Sequence, residues 1–308
     1  MRQWRPSGQY GRGFRCRHDG KMMKIEEKSF RRYAAFALVT GAASGMGRAY
    51  ALHLARMGYS LVIVDINESG LSETASIVSG EVAAFSDWRK EYASAFRVMA
   101  CVQDLSLPDA ASSVARKADA EGCEVEVLVN NAGMFFFREI SEVPRKYLSR
   151  MMMLHMHTPL MLCREFVPKM RARGCGYVLN ISSLAAWMAW PGVGMYGNTK
   201  RFIKGFSRSL RIECRGTGVS VTTAYFGAVD TDLFGLTPFY RRIARRIGVM
   251  VSVDKAVESA MKATFRRRRS TMPGLVNHIA RPILVMLPDV FLHFIYEKLR
   301  FVWTKFEK

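Results

Sequence analysis

Residues 36–40, Phe-Ala-Leu-Val-Thr, run into Gly41-Ala-Ala-Ser-Gly-Met-Gly47, and a periodic segment from Arg48 to Met57 follows. An apolar run this short, stopped by glycine, predicts a strand buried on both faces. Three glycines within seven residues let the backbone reverse tightly between that strand and a helix. The turn through Gly41, Ser44, Gly45, Met46 and Gly47 then carries free N–H groups at the helix start, where a pyrophosphate would be stabilised. Taken alone, the same pattern also suits a strand-to-helix turn with no ligand.

A second apolar run, Leu61–Val64, ends in Asp65, eighteen residues past Gly47. A carboxylate at that strand end accepts both ribose hydroxyl protons of an adenosine and repels a 2′-phosphate. Ile66 follows, with no arginine to neutralise such a phosphate, so NAD is favoured over NADP. Arg48 and Arg89 are the basic side chains that would reverse this preference by folding over the ribose. Further strands are expected at Phe96–Val102, Val125–Asn130, Tyr177–Ser182 and Val219–Tyr225, with helices near 107–121, 143–173, 194–215 and 252–266. Strands alternating with helices imply a doubly wound parallel α/β sheet of Rossmann type covered on both faces. Ligands of such sheets bind at the carboxyl ends of the strands.

Tyr196 and Lys200 lie four residues apart, on one face of the helix expected over 194–215, with Ser183 thirteen residues upstream. An ammonium beside a phenol favours the phenolate, so this pair predicts a tyrosine that exchanges a proton near neutrality. Tyr-x-x-x-Lys by itself is common on solvated helices. The glycine turn and the strand rhythm upstream give it weight.

Together these residues resemble the short-chain dehydrogenase/reductase family, over about residues 34–265. Four motifs agree in order and spacing: Thr40–Gly47, Asn130–Gly133, Ser183 with Tyr196 and Lys200, and Gly227–Thr231. The resemblance implies that Tyr196 is the general acid or base at the substrate oxygen, that Ser183 hydrogen-bonds that oxygen, and that Lys200 holds the nicotinamide ribose while lowering the phenol's pKa. It also implies that Asp104 and Leu105 line an adenine pocket and that Asn131, Ala132 and Gly133 pack near the adenosine ribose. Asn130 is read as a clip between strands. Gly227, backbone at Val229 and the Thr231 hydroxyl would hold the carboxamide. No metal is implied.

The sequence departs from the family at two positions. His155 stands where the family has an asparagine that bends the helix and feeds protons toward the lysine. Its side chain can bind water and ordinarily titrates near neutral pH, so it is either a catalytic relay or a packed helix residue. Phe226 stands where a proline usually precedes Gly227.

A chain of 308 residues with 49% hydrophobic content fits one sizeable domain with extensions. Three segments are expected: a basic, disordered extension over 1–32, the catalytic domain over 33–270 and a basic amphipathic helical tail over 271–308. The pair Met22-Met23 suggests that the natural chain starts there. Six scattered cysteines without metal-like pairing suggest thiols in a reducing cytoplasm, and no secretory signal is evident.

The net charge of +20 belongs mostly to the ends. Residues 1–32 carry ten Lys/Arg against three Asp/Glu, and 241–308 carry fifteen against five. The basic tail lacks the stacking aromatics or zinc motif of a nucleic-acid binder, so no nucleic acid is expected. Its mixture of arginines and apolar stretches suits peripheral contact with the inner face of a membrane through 241–308. Pro288-Asp289 interrupts the apolar run well short of a span. Packing of the tail on the domain or against another subunit is the competing reading. Family analogy suggests a homo-oligomer through the helices at 143–173 and 194–215.

Trp187, Met188 and Trp190, residues Met134–Phe137, and Leu233, Phe234, Leu236, Phe239 and Tyr240 are expected to line an apolar substrate cleft. The leading expectation is an NAD(P)-dependent oxidoreductase interconverting a secondary alcohol and a ketone on a steroid- or bile-acid-like substrate. A long-chain 3-ketoacyl or sphingoid lipid ketoreductase is the runner-up. A nicotinamide-binding sensor that lost the chemistry is the alternative of a different class.

Overall fold

Six runs of β-branched and aliphatic residues supply the long strands, because side chains that are stiff at Cβ pack well on a pleated surface buried from both sides. The computed structural model describes residues 35–84, 94–188, 190–230, 242 and 250–303. The strands are β1 (Ala35–Thr40), β2 (Ser60–Asp65), β3 (Val98–Val102), β4 (Glu124–Asn130), β5 (Gly176–Ser183) and β6 (Val219–Phe226). Short strands β7 (Ala228–Val229), β8 (Met250–Val251) and β9 (Ser270–Thr271) follow. The main sheet has the order β3-β2-β1-β4-β5-β6-β9, and every pairing in it is parallel. β7 and β8 form a separate parallel pair.

Helices cover both faces, as the alternating pattern requires. On one face lie α1 (Gly45–Arg56) and α2 (Glu68–Ala83), joined there by a later helix, Val253–Phe265; their Tyr50, Leu54, Leu71, Val78 and Met261 meet Val39, Ile63 and Val129. On the other lies α3 (Ala110–Ala120), whose Ala110, Ala111, Val114, Ala115 and Ala118 recur at helical spacing and pack on Leu38, Val62 and Leu128. The helix expected over 143–173 is one rod with a defect. It comprises α4 (Arg145–Met152), a π-helical turn (Met153–His157) and α5 (Thr158–Ala172). Such a turn inserts one extra residue and re-aims the side chains beyond it.

Next come α6 (Gly194–Glu213), α7 (the Val253–Phe265 helix), α8 (Leu275–Met286) and α9 (Asp289–Trp303). The break between the last two falls at Leu287-Pro288, where proline removes an N–H and disfavours the helical conformation of the residue before it. No single helix among the described residues is long and apolar enough to cross a membrane. The expected extension over 1–32, with Met22-Met23, lies outside the described residues. Cys101, Cys123, Cys163 and Cys214 are buried free thiols, whereas Cys175 is disulfide-bonded, a departure from the expectation of thiols throughout.

The chain runs outward from β1 to β3, then crosses back to β4 and outward again. The reversal leaves a crevice beyond the carboxyl ends of β1 and β4, where the loops part in opposite directions. A buried polar chain fixes the elements beside it. Asn130 Nδ2 donates to Asn180 Oδ1 at 2.7 Å, and Asn180 Nδ2 donates to the Ser207 hydroxyl at 2.9 Å. β4, β5 and α6 are thereby held in one register, which agrees with reading Asn130 as a clip. Asn180→Leu removes the partner of the Ser207 hydroxyl and leaves the Asn130 amide only its 3.6 Å bond to the Cys163 sulfur, at a cost of about 1–3 kcal/mol for the orphaned hydroxyl. The expected outcome is a lower urea midpoint with an unchanged m value.

Candidate active site

The site is built at the carboxyl ends of β1, β2, β4 and β5. Gly41 sits at φ 68°, and a Cβ there would lie 2.9 Å from the Ala132 Cα. A Cβ at Gly47 would overlap the Gly41 carbonyl, so only glycine lets α1 start this close to the turn. The N-cap residue Ser44 makes no side-chain capping bond, and Ser44 and Gly45 are exposed. The helix start therefore presents its first N–H groups outward, which suits a pyrophosphate.

Asp65 closes this turn from the next strand. Its Oδ2 accepts from the Ala43 N–H at 3.1 Å and its Oδ1 from the Asn67 N–H at 3.0 Å. Each carboxylate oxygen keeps a second lone pair for a ribose hydroxyl. Arg48 is bonded to other groups: the guanidinium donates to the Thr74 hydroxyl at 2.9 Å, to the Ala43 carbonyl at 2.7 Å and to Glu73 at 2.6 Å. Arg89 lies outside the described residues.

Across the crevice, the Thr40 hydroxyl accepts from the N–H groups of Asn131 and Ala132, both at 3.0 Å, and donates to the Val129 carbonyl at 3.3 Å. Asn131 Nδ2 donates to the Thr40 carbonyl at 2.9 Å. The Asn-Asn-Ala-Gly loop is thus stitched to the end of β1. Asp104 has turned onto its own loop, with Oδ1 accepting from the Ser106 N–H at 2.9 Å and hydroxyl at 2.6 Å. Burial pushes its pKa up, but the Ser106 bonds and nearby Arg150 outweigh that and bring it down. Leu105 is buried in the core, and its carbonyl accepts from Thr158 at 2.7 Å.

Ser183 ends β5, and Tyr196 and Lys200 share the inner face of α6, both buried. The Ser183 hydroxyl donates to the Phe226 carbonyl at 3.2 Å and accepts from the Ala185 N–H at 3.2 Å. Lys200 Nζ lies 5.6 Å from the Tyr196 ring centroid and donates to the Ile181 carbonyl at 3.2 Å. Burial pushes the phenol up to about 12, opposed by its contact with Ser183, and pushes the lysine down to about 8. Burial outweighs the lowering of the phenol expected from Lys200. Both groups pay desolvation together, with the ammonium 5.6 Å from the ring centroid.

His155 falls in the π-helical turn and is buried. Its Nε2 accepts from the Met134 N–H at 2.9 Å, and its Nδ1 lies 3.0 Å from the Thr199 hydroxyl. That hydroxyl already donates to the Tyr196 carbonyl at 2.7 Å, so Nδ1 carries the proton and the ring is neutral. Burial and then Lys200 hold the His155 pKa well below its ordinary value. The imidazole therefore does not titrate near neutral pH as expected for a relay. It joins the loop after β4 to the helix that carries Tyr196.

Gly227 packs so closely on Asn277 of α8 that a Cβ would overlap the amide oxygen. Val229 is buried in the β7–β8 pair, and Thr231 lies outside the described residues, as do Leu233, Phe234, Leu236, Phe239 and Tyr240. Phe135 meets Tyr196 edge-on at 5.1 Å. Trp187 instead meets Tyr225 at a tilt of 57°, with ring centroids 4.5 Å apart, under Lys204 and Arg281 at 4.5 and 5.2 Å, so it serves as a packing post for α8. Among the described residues a cavity of ≈ 320 Å³ lies beside the start of α6, with Ile140, Val143, Pro191, Met195, Arg138 and Tyr296 among its walls. No group of three or more His, Cys, Asp or Glu able to hold a metal occurs among the described residues.

The sequence model of the family described as short chain dehydrogenase matches residues 35–237. The chain belongs to that family. "Probable oxidoreductase EphD" of Mycobacterium tuberculosis is 32% identical over 203 residues, which cover 66% of this chain and 32% of that relative. "Retinol dehydrogenase 10-A" of Xenopus laevis is 30% identical over 212 residues, covering 64% of this chain and 62% of the frog protein. The matches thus span less than two thirds of these relatives' own lengths. A solved short-chain dehydrogenase from Sphingobium yanoikuyae, in complex with NADPH, superimposes with a TM-score of 0.67 and 25% identity, over 82% of this chain and 96% of that one.

In this short-chain dehydrogenase the residues that sequence reasoning missed are Thr199, Asn277 and Tyr296. Thr199 had a signal, a hydroxyl three residues after Tyr196 able to bond back to its carbonyl. Asn277 and Tyr296 had none, since their contacts depend on how the tail folds back. The lowered pKa of Lys200 carries a stability consequence. Between its folded value of about 8 and its ordinary 10.5, the unfolded chain binds more protons, so stability rises with pH across that window. Below it, burial of the charge costs its full amount. Lys200→Met is expected to raise the melting temperature of the ligand-free protein by several degrees at pH 7, with the gap closing between pH 8 and 10.5 in calorimetry.

Proposed function

We propose that this protein is an NAD(P)-dependent oxidoreductase that interconverts a secondary alcohol and a ketone on a hydrophobic substrate. The observation that carries this reading is the placement of Ser183, Tyr196 and Lys200 at one crevice with the glycine turn and Asp65. The N–H groups of Gly45, Met46 and Gly47 would hold a pyrophosphate, Asp65 the adenosine ribose, and Lys200 the nicotinamide ribose. When bound, the dinucleotide supplies or accepts the hydride.

Tyr196 acts at the substrate oxygen. Its phenol, pushed up to about 12, is protonated at neutral pH and ready to donate to a carbonyl. Alcohol oxidation needs the opposite transfer, so its rate rises with pH. The Ser183 hydroxyl, by turning from the Phe226 carbonyl, donates to the same oxygen and stabilises charge that develops there. Lys200 is charged below about pH 8 and lowers the cost of forming a phenolate beside it. Tyr196→Phe is expected to reduce kcat roughly 10²- to 10⁴-fold with little change in cofactor affinity. Near-normal turnover by that variant would refute the assignment.

His155 is a positioning residue in this reading. His155→Asn keeps a donor and an acceptor and retains most activity, whereas His155→Ala lowers kcat/KM roughly 10- to 100-fold by loosening the loop and helix it joins. Neither variant removes an inflection near pH 6 to 7 from the rate profile. Loss of such an inflection would restore the relay.

NAD is the favoured cofactor. Asp65 repels a 2′-phosphate, and Arg48 is committed to Glu73, Thr74 and the Ala43 carbonyl. Asp65→Ser is expected to lower kcat/KM with NADH by tenfold or more and to raise the relative rate with NADPH. A wild-type preference for NADPH would overturn this part.

The substrate is apolar and of steroid or bile-acid type. The cavity beside α6 is lined mainly by apolar groups, among them Ile140, Val143, Pro191 and Met195, with Arg138 and Glu139 as its charged residues. Retinol dehydrogenase 10-A is named for another apolar alcohol. A panel of hydroxysteroids, bile acids and 3-ketoacyl thioesters, assayed with each cofactor, separates this class from long-chain lipid ketones. Cofactor binding without turnover on any of them would favour a sensor.

A further inference from the structure

The two C-terminal helices are amphipathic in the reverse sense. On α8 the residues facing the domain are Asn277, which is buried against Gly227, and Leu284, while Arg281 reaches over Trp187. Its outer stripe is Val276, Ile279, Ile283 and Met286, spaced three, four and three apart. On α9 the inward residues are Leu292 and Tyr296, and the outward ones are Val290, Phe291 and Phe294. Met286 and Val290, at the bend between the helices, are 80% and 81% exposed. Large apolar side chains so concentrated and so exposed mark an interaction surface.

We propose that this bent pair docks the protein on the surface of an anionic bilayer, with Met286, Val290, Phe291 and Phe294 inserted among the headgroups. The two arms meet at 110°, and each is too short to cross. Twelve and fifteen residues make helices of about 18 and 22 Å, against a hydrocarbon core of about 30 Å. Lys298 lies with its Nζ 5.7 Å from the Phe294 ring, at the polar end of the apolar stripe, where a lysine stem follows an inserted ring and its ammonium reaches the phosphates.

Charge selects the bilayer over a second copy of the chain. The protein carries +20; residues 275–303 themselves hold three Lys/Arg against two Asp/Glu, so the attraction comes from the basic surface around the apolar stripe. A dimer across this face would bring two such surfaces together, whereas anionic lipid complements them. Tyr296, on the opposite side of α9 from Phe294, walls the cavity beside α6. An apolar substrate dissolved in the bilayer would then meet a cavity separated from it by one helix. That last consequence rests on the proposed function; the docking does not.

The test is flotation of the full chain with vesicles of phosphatidylcholine alone and with phosphatidylserine added. The wild type is expected to float with the anionic vesicles and to stay bound in 0.5 M salt. The double variant Met286→Asp, Val290→Asp, altered only at highly exposed positions, is expected to lose at least tenfold in bound fraction while keeping its melting temperature and NADH binding. Failure of the wild type to float with either vesicle overturns the docking. So does binding that the variant retains but salt abolishes, which would assign it to basic charge alone. A wild-type dimer that the variant converts to monomer, without flotation, would assign the face to a second copy. Turnover is measured separately on detergent-solubilised substrate, so a chain that floats without turning over, or turns over without floating, shows which of the two readings fails.

Discussion

The Thr40 hydroxyl holds together the two halves on which the crevice depends. It donates to one carbonyl and accepts from two N–H groups, so its hydrogen-bonding capacity is fully used. Those partners belong to β4 and its loop, on the far side of the strand reversal. With that stitch in place, the glycine turn faces the Asn-Asn-Ala-Gly loop at a fixed distance, and Gly41 can have no side chain because Ala132 occupies the space. The position of Gly133 against His155, and hence of α6, follows from the same anchoring.

Most of the sheet was legible because its strands are apolar on both faces. Val39, Ile63, Val129 and Leu179 are each wholly buried, so the runs containing them had no polar alternation to obscure them. Helix ends were also near expectation, with a serine cap at Ser252 and glycines just past the ends at Gly122 and Gly174. The placement of Ser183, Tyr196 and Lys200 at one crevice was readable from the helical period and the strand preceding it. Their electrostatics were not. Sequence separation gives a phenol and an ammonium as neighbours, but only the packing reveals that both are desolvated and that the ammonium rests over the ring face.

His155 shows the same limit from another side. A histidine in a helix reads equally as a proton carrier or as packing, and its character is set by two partners distant in sequence, Met134 and Thr199. The π-helical turn that aims the ring at them leaves no compositional trace in Met153–His157. Trp187 was expected in the substrate cleft for its size and place after Ser183, yet two cations and a tyrosine claim its faces. An aromatic residue's surroundings are long-range facts.

The contact between Gly227 and Asn277 ties the tail to the loop that follows β6. The amide of Asn277 fills the volume that a side chain at Gly227 would need, and it is braced by the Pro273 carbonyl at 2.6 Å. Shortening the chain before residue 275 therefore opens a notch beside the sheet instead of leaving a finished surface. A trimmed version for crystallisation or biosensor work would call for a bulkier residue at 227 to plug that gap.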